Sequence, residues 1–153
     1  MNTVVVTGAS GYIGSALAPA LTPQWDVRAL DRRGLDRLEP ASLTGVDAVV
    51  HLSAQTNLRF AESHPEEDEQ ANVASMRGLL AAAPPGTRIV FASTVTIAGL
   101  ATRIDPATPD APMTVYDRHK LEAERLLSHA SQAGAVRGIS LRLCNVYGYG
   151  APS

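Results

Sequence analysis

The types and spacing of Tyr116 and Lys120 indicate a pair that could transfer a proton. They lie four positions apart in a segment with helical periodicity, so both side chains fall on one face of the predicted helix. A phenol with a pKa of about 10 is a poor base at neutral pH, but a nearby ammonium group favours the phenolate. We therefore expect Lys120 to lower the pKa of Tyr116, so that the pair passes a proton to or from a substrate hydroxyl. A tyrosine and a lysine on an ordinary surface helix would show the same spacing.

Two hydroxyl side chains, those of Ser93 and Thr94, end the apolar segment RIVFAST. The carboxyl ends of parallel strands border the ligand crevice of α/β proteins, so these hydroxyls are placed to hold the reacting oxygen of a substrate. Capping of the strand end is the alternative role, above all for Ser93.

Three glycines, Gly8, Gly11 and Gly14, lie between an apolar run that ends at Thr7 and a helical segment. Gly8 allows a tight turn, Gly11 lets backbone approach a pyrophosphate, and Gly14 lets the helix pack closely on the sheet. The helix N-terminus then offers free N–H groups to phosphates. A glycine-rich turn without a ligand is the alternative.

Asp31 ends the second apolar run, 23 residues after Gly8. A carboxylate at this place accepts hydrogen bonds from the adenosine ribose and repels a 2′-phosphate, which favours NAD over NADP. Arg32 and Arg33 follow directly. Their guanidinium groups could stack on adenine, meet a 2′-phosphate, or lie on a solvated surface.

The elements that must position these residues alternate along the chain. Short apolar or alternating runs indicate strands, and longer segments with helical spacing indicate helices. The alternation predicts an α/β fold: a doubly wound, Rossmann-type parallel sheet in three αβα layers. The predicted strands are residues 2–7, 25–30, 47–53, 88–93 and 139–144, and the predicted helices are residues 12–21, 65–83 and 115–131.

The composition is that of one globular domain, with 153 residues of which 45% are hydrophobic and 18% charged. The net charge of −2 and the absence of a Lys/Arg cluster argue against a nucleic-acid partner. No apolar run approaches the ~20 residues of a membrane span, and the histidines show no metal-ligand spacing. Cys144 is the only cysteine. We expect it to be a buried strand residue, and it fits a cytoplasmic location.

Several segments occur in an order that is typical of one family. They resemble those of the extended short-chain dehydrogenase/reductases, the NAD-dependent epimerase/dehydratase family that mostly acts on nucleotide sugars. The resemblance covers essentially the whole chain. The segments are TGASGYIG (7–14), Asp31, HLSA (51–54), Asn72, FAST (91–94), YDRHK (116–120) and LRLCNVYG (141–148).

The resemblance implies roles for individual residues. Tyr116 is implied to be the catalytic acid/base, Lys120 to hold the nicotinamide ribose, and Thr94 to hydrogen-bond the sugar hydroxyl that is oxidised. Asn145 is implied to face the phosphate side of the substrate. The implied cofactor contacts are Gly8, Gly11, Tyr12, Ile13 and Gly14 at the pyrophosphate, Asp31 and Arg32 at the adenosine, Leu52, Ser53 and Ala54 near the middle of the cofactor, Asn72 in support, Leu143 and Cys144 at the nicotinamide, and Tyr116 and Lys120.

The activity that the resemblance implies is hydride transfer between a nucleotide sugar and NAD through a transient keto-sugar. Tyr116 would take the hydroxyl proton while the adjacent carbon gives up the hydride. Epimerases return the hydride to the other face, and dehydratases eliminate water first. A non-catalytic dinucleotide-binding module, acting as a sensor or with a partner, and a reductase of a small carbonyl compound are the alternatives.

Three features depart from the family pattern. The stretch from Asp31 to Asp47 is short, which leaves Asp36 as the nearby candidate for an acidic residue at the adenine. Ala98 stands where the family often has tyrosine. Family members run to roughly twice this length, so we expect residues 1–153 to be an NAD(P)-binding domain that lacks the substrate-binding lobe. The resemblance also implies a homodimer through helices 66–83 and 115–131.

Overall fold

The structure is a computed structural model that describes residues 1–148, including every side chain except that of Arg32. Five parallel strands form one sheet: β1 (Thr3–Thr7), β2 (Asp26–Leu30), β3 (Ala48–His51), β4 (Arg88–Thr94) and β5 (Arg137–Leu143). Their order across the sheet is β2-β1-β3-β4-β5. This order confirms the predicted doubly wound sheet. Its direction of winding reverses between β1 and β3, which is where α/β proteins bind ligands.

The helices are α1 (Tyr12–Leu21), α2 (Arg32–Asp36), α3 (Leu58–Ser63), α4 (Pro65–Glu69), α5 (Ser75–Ala82) and α6 (Val115–Gln132). A π-helical turn at Gln70–Ala74 joins α4 to α5, so the helix predicted over residues 65–83 is one element with a widened turn. The short helices α2 and α3 were not predicted, nor were the 3₁₀ turns at Pro40–Leu43 and Val95–Ala98. No helix within residues 1–148 is long and apolar enough to cross a membrane.

The sheet has different partners on its two faces, because successive strand residues point to opposite sides. One face packs against α5 and α6 in a buried core, and the other faces α1 across an apolar groove, which gives the three predicted layers. The core includes Val5, Val49, Met76, Leu79, Ile89, Phe91, Ala123 and Leu127. The groove is lined by Ile13, Leu17, Leu21, Val50, Leu52, Val90, Ala92, Leu141 and Leu143.

Helix α6 begins at a capping box. The Thr114 hydroxyl accepts a hydrogen bond from the Asp117 backbone N–H at 3.1 Å, and the Asp117 carboxylate accepts one from the Thr114 N–H at 3.0 Å. The box satisfies two N–H groups that the first helical turn would otherwise leave without partners. It fixes the start of the helix and therefore places Tyr116 in the first turn.

Candidate active site

The turn from β1 to α1 is a backbone cradle that only glycine fits. Gly8 has a φ of +67°, and a Cβ on it would lie 2.8 Å from the Ser53 backbone nitrogen. A Cβ on Gly14 would overlap the Gly8 carbonyl oxygen, so Gly14 packs the helix onto the turn itself. The Gly11 N–H donates to the Gly8 carbonyl at 2.9 Å. The amino end of α1 is thereby held at the carboxyl edge of the sheet.

Thr7 and His51 join the ends of β1 and β3 beside this cradle. The Thr7 hydroxyl accepts hydrogen bonds from the Leu52 and Ser53 N–H groups, both at 3.1 Å, and lies 2.8 Å from His51 Nδ1. Burial, and after it the charge of Lys120, lower the pKa of His51 to about 3, so the imidazole is neutral. These hydrogen bonds hold the backbone of Leu52 and Ser53 next to Gly8. Sequence reasoning gave no role to His51, although a histidine at the end of an apolar strand was a usable signal.

Asp31 lies directly after β2 and caps α2, because its Oδ1 accepts a hydrogen bond from the Gly34 N–H at 2.8 Å. The residue is exposed and faces solvent at the same edge of the sheet as the glycine turn. The side chain of Arg32 lies outside the described residues. Arg33 is exposed.

Lys120 is buried, with only 2% of its surface exposed. Its Nζ donates to the Ala92 carbonyl at 2.7 Å and lies 4.1 Å from the centre of the Phe91 ring. Burial lowers the pKa of Lys120 to about 7, against the opposing effect of the carboxylates of Glu124 and Asp68. An amine with this pKa changes its protonation state at neutral pH.

The pKa of Tyr116 is raised to about 12, first by burial and then by the negative charges of Asp117 and Asp68. Our expectation that Lys120 lowers this pKa is therefore wrong for this structure. Lys120 directs its amine at Ala92 and is itself poorly charged, so two carboxylates and desolvation decide the protonation of the phenol. At neutral pH Tyr116 is a phenol with a proton to donate.

Thr94 ends β4 and caps the 3₁₀ turn that follows. Its hydroxyl accepts from the Thr96 N–H at 3.2 Å and lies 2.9 Å from the Thr96 hydroxyl, which in turn donates to Asp117. The strand end that carries Thr94 is thus tied to the helix that carries Tyr116. Sequence reasoning missed Thr96 and Asp117, and only the i, i+2 spacing of the two threonines hinted at them.

A second buried polar group supports the loop after β3. The Asn72 amide donates to the Gln55 carbonyl at 3.0 Å. Asp68 is fully buried, and its carboxylate contacts His119 Nδ1 at 2.7 Å and accepts from the Gln55 amide at 3.2 Å. This hydrogen bond ties the π-helical turn that carries Asn72 to the loop after β3, and the role of Asn72 at a cofactor stays a prediction.

The residues at the end of β5 lie at the same edge of the sheet, because Leu143 pairs with Thr94. Cys144 and Asn145 follow the strand and are exposed. The expectation that Cys144 is a buried strand residue is wrong, since β5 is the edge strand and ends one residue earlier. Tyr12 and Ile13 form the start of α1, at the cradle. Among residues 1–148 no group of three or more His, Cys, Asp or Glu side chains could hold a metal ion.

Comparisons with known proteins agree with this architecture. A family model described as "NAD dependent epimerase/dehydratase family" matches residues 4–153. The chain is 31% identical, over 97% of its length, to dTDP-6-deoxy-L-talose 4-dehydrogenase (NAD(P)(+)) from Kitasatospora kifunensis, and 29% identical, over 98%, to UDP-glucuronate 4-epimerase 1 from Arabidopsis thaliana. The solved structure of MoeE5 in complex with UDP-glucose and NAD covers 99% of the chain with a TM-score of 0.86 and 30% identity. The chain spans about half the length of these proteins: 54%, 44% and 57%.

Proposed function

Because this chain belongs to the NAD-dependent epimerase/dehydratase family, we propose that it binds NAD and carries the acid/base group of a nucleotide-sugar epimerase or dehydratase. The observation that carries the proposal is the hydrogen bond from Thr96 to Asp117. It fastens the end of β4, with Thr94, to the first turn of α6, with Tyr116. This connection fixes the element that carries Thr94 relative to the one that carries Tyr116, as a site that orients a substrate hydroxyl toward its proton acceptor would require.

The cradle of the β1–α1 turn fits a dinucleotide. A side chain at Gly8 would collide with the Ser53 backbone, so glycine is required for the shape of this turn. No described side chain caps the amino end of α1, where a pyrophosphate would approach. Asp31, exposed beyond β2, would meet the adenosine ribose and disfavour a 2′-phosphate, which supports NAD rather than NADP. MoeE5, which the chain resembles, was solved with NAD.

When bound, NAD accepts a hydride from a sugar carbon and returns it. The residues of this chain handle the proton. Tyr116, a neutral phenol with a pKa of about 12, donates its proton to a carbonyl oxygen when the hydride returns. Removal of the proton in the opposite direction requires the phenolate, which Lys120 would favour only once its amine has left the Ala92 carbonyl and is protonated. Thr94 would contact the reacting oxygen, and Asn145 the phosphates of the substrate.

A non-catalytic dinucleotide-binding module is the second candidate. The burial of Lys120 favours it, because the amine is bound to the Ala92 carbonyl and must move before it can reach a ribose. The two candidates differ in turnover and not in NAD affinity.

The test is to mix the wild-type protein with NAD⁺ and, in turn, UDP-glucose, UDP-glucuronic acid and dTDP-6-deoxy-L-talose. The absorbance of reduced nicotinamide and the proton NMR spectrum of the sugar ring are followed. We expect conversion of at least one sugar, with tighter binding of NAD⁺ than of NADP⁺ by calorimetry. NAD⁺ binding without conversion of any sugar would favour the module. Oxidation of NADH by a small ketone alone would favour a carbonyl reductase.

We further propose a homodimer through the surface that the helices of residues 66–83 and 115–131 share, and a cytoplasmic location. Within one chain, Arg77 pairs with Glu69 at 2.7 Å and with Glu122 of α6 at 2.6 Å, so the two helices contribute side chains to one common surface. Sedimentation of the wild-type protein against a variant with Arg77→Glu tests the dimer, which the reversed charge should weaken.

A further inference from the structure

Three polar side chains form a continuous row from the strand end to the helix. The Thr94 and Thr96 hydroxyl oxygens are 2.9 Å apart, and the Thr96 hydroxyl donates to Oδ1 of Asp117. The other carboxylate oxygen, Oδ2, accepts from the N–H groups of Met113 at 3.3 Å and Thr114 at 3.0 Å. Asp117 is 3% exposed and Thr94 is 8% exposed, so water does not compete freely for these groups.

The direction of every hydrogen bond in this row follows from the carboxylate. An ionised carboxylate only accepts, so the single hydroxyl hydrogen of Thr96 points at Asp117. The hydrogen between the two threonines must then come from Thr94. The Thr94 oxygen also accepts from the Thr96 N–H at 3.2 Å. The Thr94 hydroxyl hydrogen is therefore already used in the bond to Thr96. Only one lone pair of the Thr94 oxygen remains free to bind a ligand.

We propose that Asp117, acting through Thr96, is a positioning residue that makes Thr94 a hydrogen-bond acceptor toward the substrate. The inference rests on the proposed function and specifies how the site distinguishes a hydroxyl from a ketone at the reacting carbon. While Tyr116 is a neutral phenol, a sugar hydroxyl can donate to Thr94 and accept from Tyr116. Transfer of its proton to the Tyr116 phenolate then requires that hydrogen to turn from Thr94 to Tyr116. A ketone has no hydrogen to offer to Thr94. The site consequently holds the hydroxyl form of its substrate in preference to the keto form.

The substitution Asp117→Asn should reverse the direction of the hydrogen bonds along this row with almost no change in side-chain shape. The N–H groups of Met113 and Thr114 require an acceptor, so the new amide places its oxygen toward them and its NH₂ toward Thr96. Thr96 then receives a hydrogen bond and turns its own hydrogen to Thr94. The Thr94 hydrogen becomes free to reach a carbonyl oxygen. Thr96→Val removes the acceptor of the Thr94 hydrogen and leaves the charge of Asp117 in place.

The experiment compares KM for UDP-glucose with NAD⁺ and KM for UDP-4-keto-6-deoxyglucose with NADH. In D117N and in T96V we expect the ratio of the first KM to the second to rise by about tenfold, the worth of one hydrogen bond. T96S, which keeps the hydroxyl, should restore the wild-type ratio. The phenol pKa of Tyr116, read from the ultraviolet titration after subtraction of the Y116F spectrum, should fall in D117N and stay unchanged in T96V.

Two results would overturn the proposal: an unchanged ratio in both variants, or a change in D117N alone that follows the pKa of Tyr116. The second result would mean that Asp117 acts by its charge and not through Thr96. A third arm needs no substrate. In ¹⁵N-labelled D117N, nuclear Overhauser contacts should join the new side-chain NH₂ to Thr96, and contacts to the Met113 and Thr114 amides instead would refute the reversal. Failure of the wild type to convert any sugar would count against the proposed function and leave this NMR result to decide the hydrogen-bond direction.

Discussion

Replacement of Lys120 by methionine should remove a pH dependence of stability that this one residue creates. Lys120 is the only lysine of the sequence, and it is buried with its amine hydrogen-bonded to the Ala92 carbonyl. Its pKa falls from the ordinary 10.5 to about 7 in the folded protein. Between these two values the unfolded chain holds one more proton than the folded chain at this position. The contribution of Lys120 to the free energy of unfolding is therefore lowest at and below neutral pH, and it increases as the pH rises.

The size of the effect follows from the same two values. Each pH unit between them adds about 1.4 kcal/mol to the free energy of unfolding. From about pH 7.5 to about pH 9 the wild type should therefore gain roughly 2 kcal/mol from Lys120. Lys120→Met removes the titrating group and should abolish this gain. The lost hydrogen bond to Ala92 shifts the stability of the variant by a constant and does not alter its slope with pH.

Urea unfolding followed by the fluorescence of Trp25, the only tryptophan, measures the slope. The matched control is Arg125→Met, which removes an exposed cation from the same helix and should keep the wild-type slope. Parallel pH profiles for wild type and K120M would refute the buried-amine explanation. Because there is one lysine, ¹³Cε-lysine labelling gives a single resonance whose titration reports the pKa of Lys120 directly.

Three further predictions follow from the described contacts. His51 has its pKa lowered to about 3, so the wild type should lose about 1.4 kcal/mol of stability per pH unit as the pH falls below 6.5, and H51F should lose less. Gly8→Ala should lower the unfolding free energy by more than about 1 kcal/mol, because of its positive φ and the Ser53 contact, whereas Gly78→Ala in α5, with nothing within 4 Å, should raise it by about 0.5–1 kcal/mol in thermal denaturation. Asp31→Ala should lower the free energy of unfolding by about 1 kcal/mol, because the side-chain cap of α2 is lost. D31N keeps an accepting oxygen, so its loss of stability should be smaller, while calorimetry should show a loss of NAD⁺ affinity.

Most of the fold could be predicted from the sequence, because long elements bury regular apolar patterns. Helix α1 has the predicted bounds of residues 12–21, and α6 differs from its prediction by one residue. The short helices α2 and α3 could not be predicted, because each is defined by a side-chain cap and not by periodicity. Asp31 caps the first and Asn57 the second, through a hydrogen bond from the Phe60 N–H.

The electrostatics of the candidate site could not be predicted from the sequence, and the roles of its residues stay predictions. The sequence pattern placed Thr94, Tyr116 and Lys120 at one edge of the sheet. It could not show that the amine of Lys120 would turn to a backbone carbonyl, or that Asp117 and Asp68 would stand near the phenol. Both effects depend on contacts between residues far apart in the chain. They reverse the expected direction of the Tyr116 pKa shift.

The most direct test of the account is hydride transfer by the variant Tyr116→Phe. The matched control is Tyr147→Phe, which changes a tyrosine that is 92% exposed. Each protein is titrated with NAD⁺ by calorimetry and is then assayed with the nucleotide sugar that the wild type converts. We predict that Y116F binds NAD⁺ as the wild type does and loses turnover by at least about a hundredfold, while Y147F retains both. Normal turnover by Y116F would contradict the role of Tyr116 as the acid/base group.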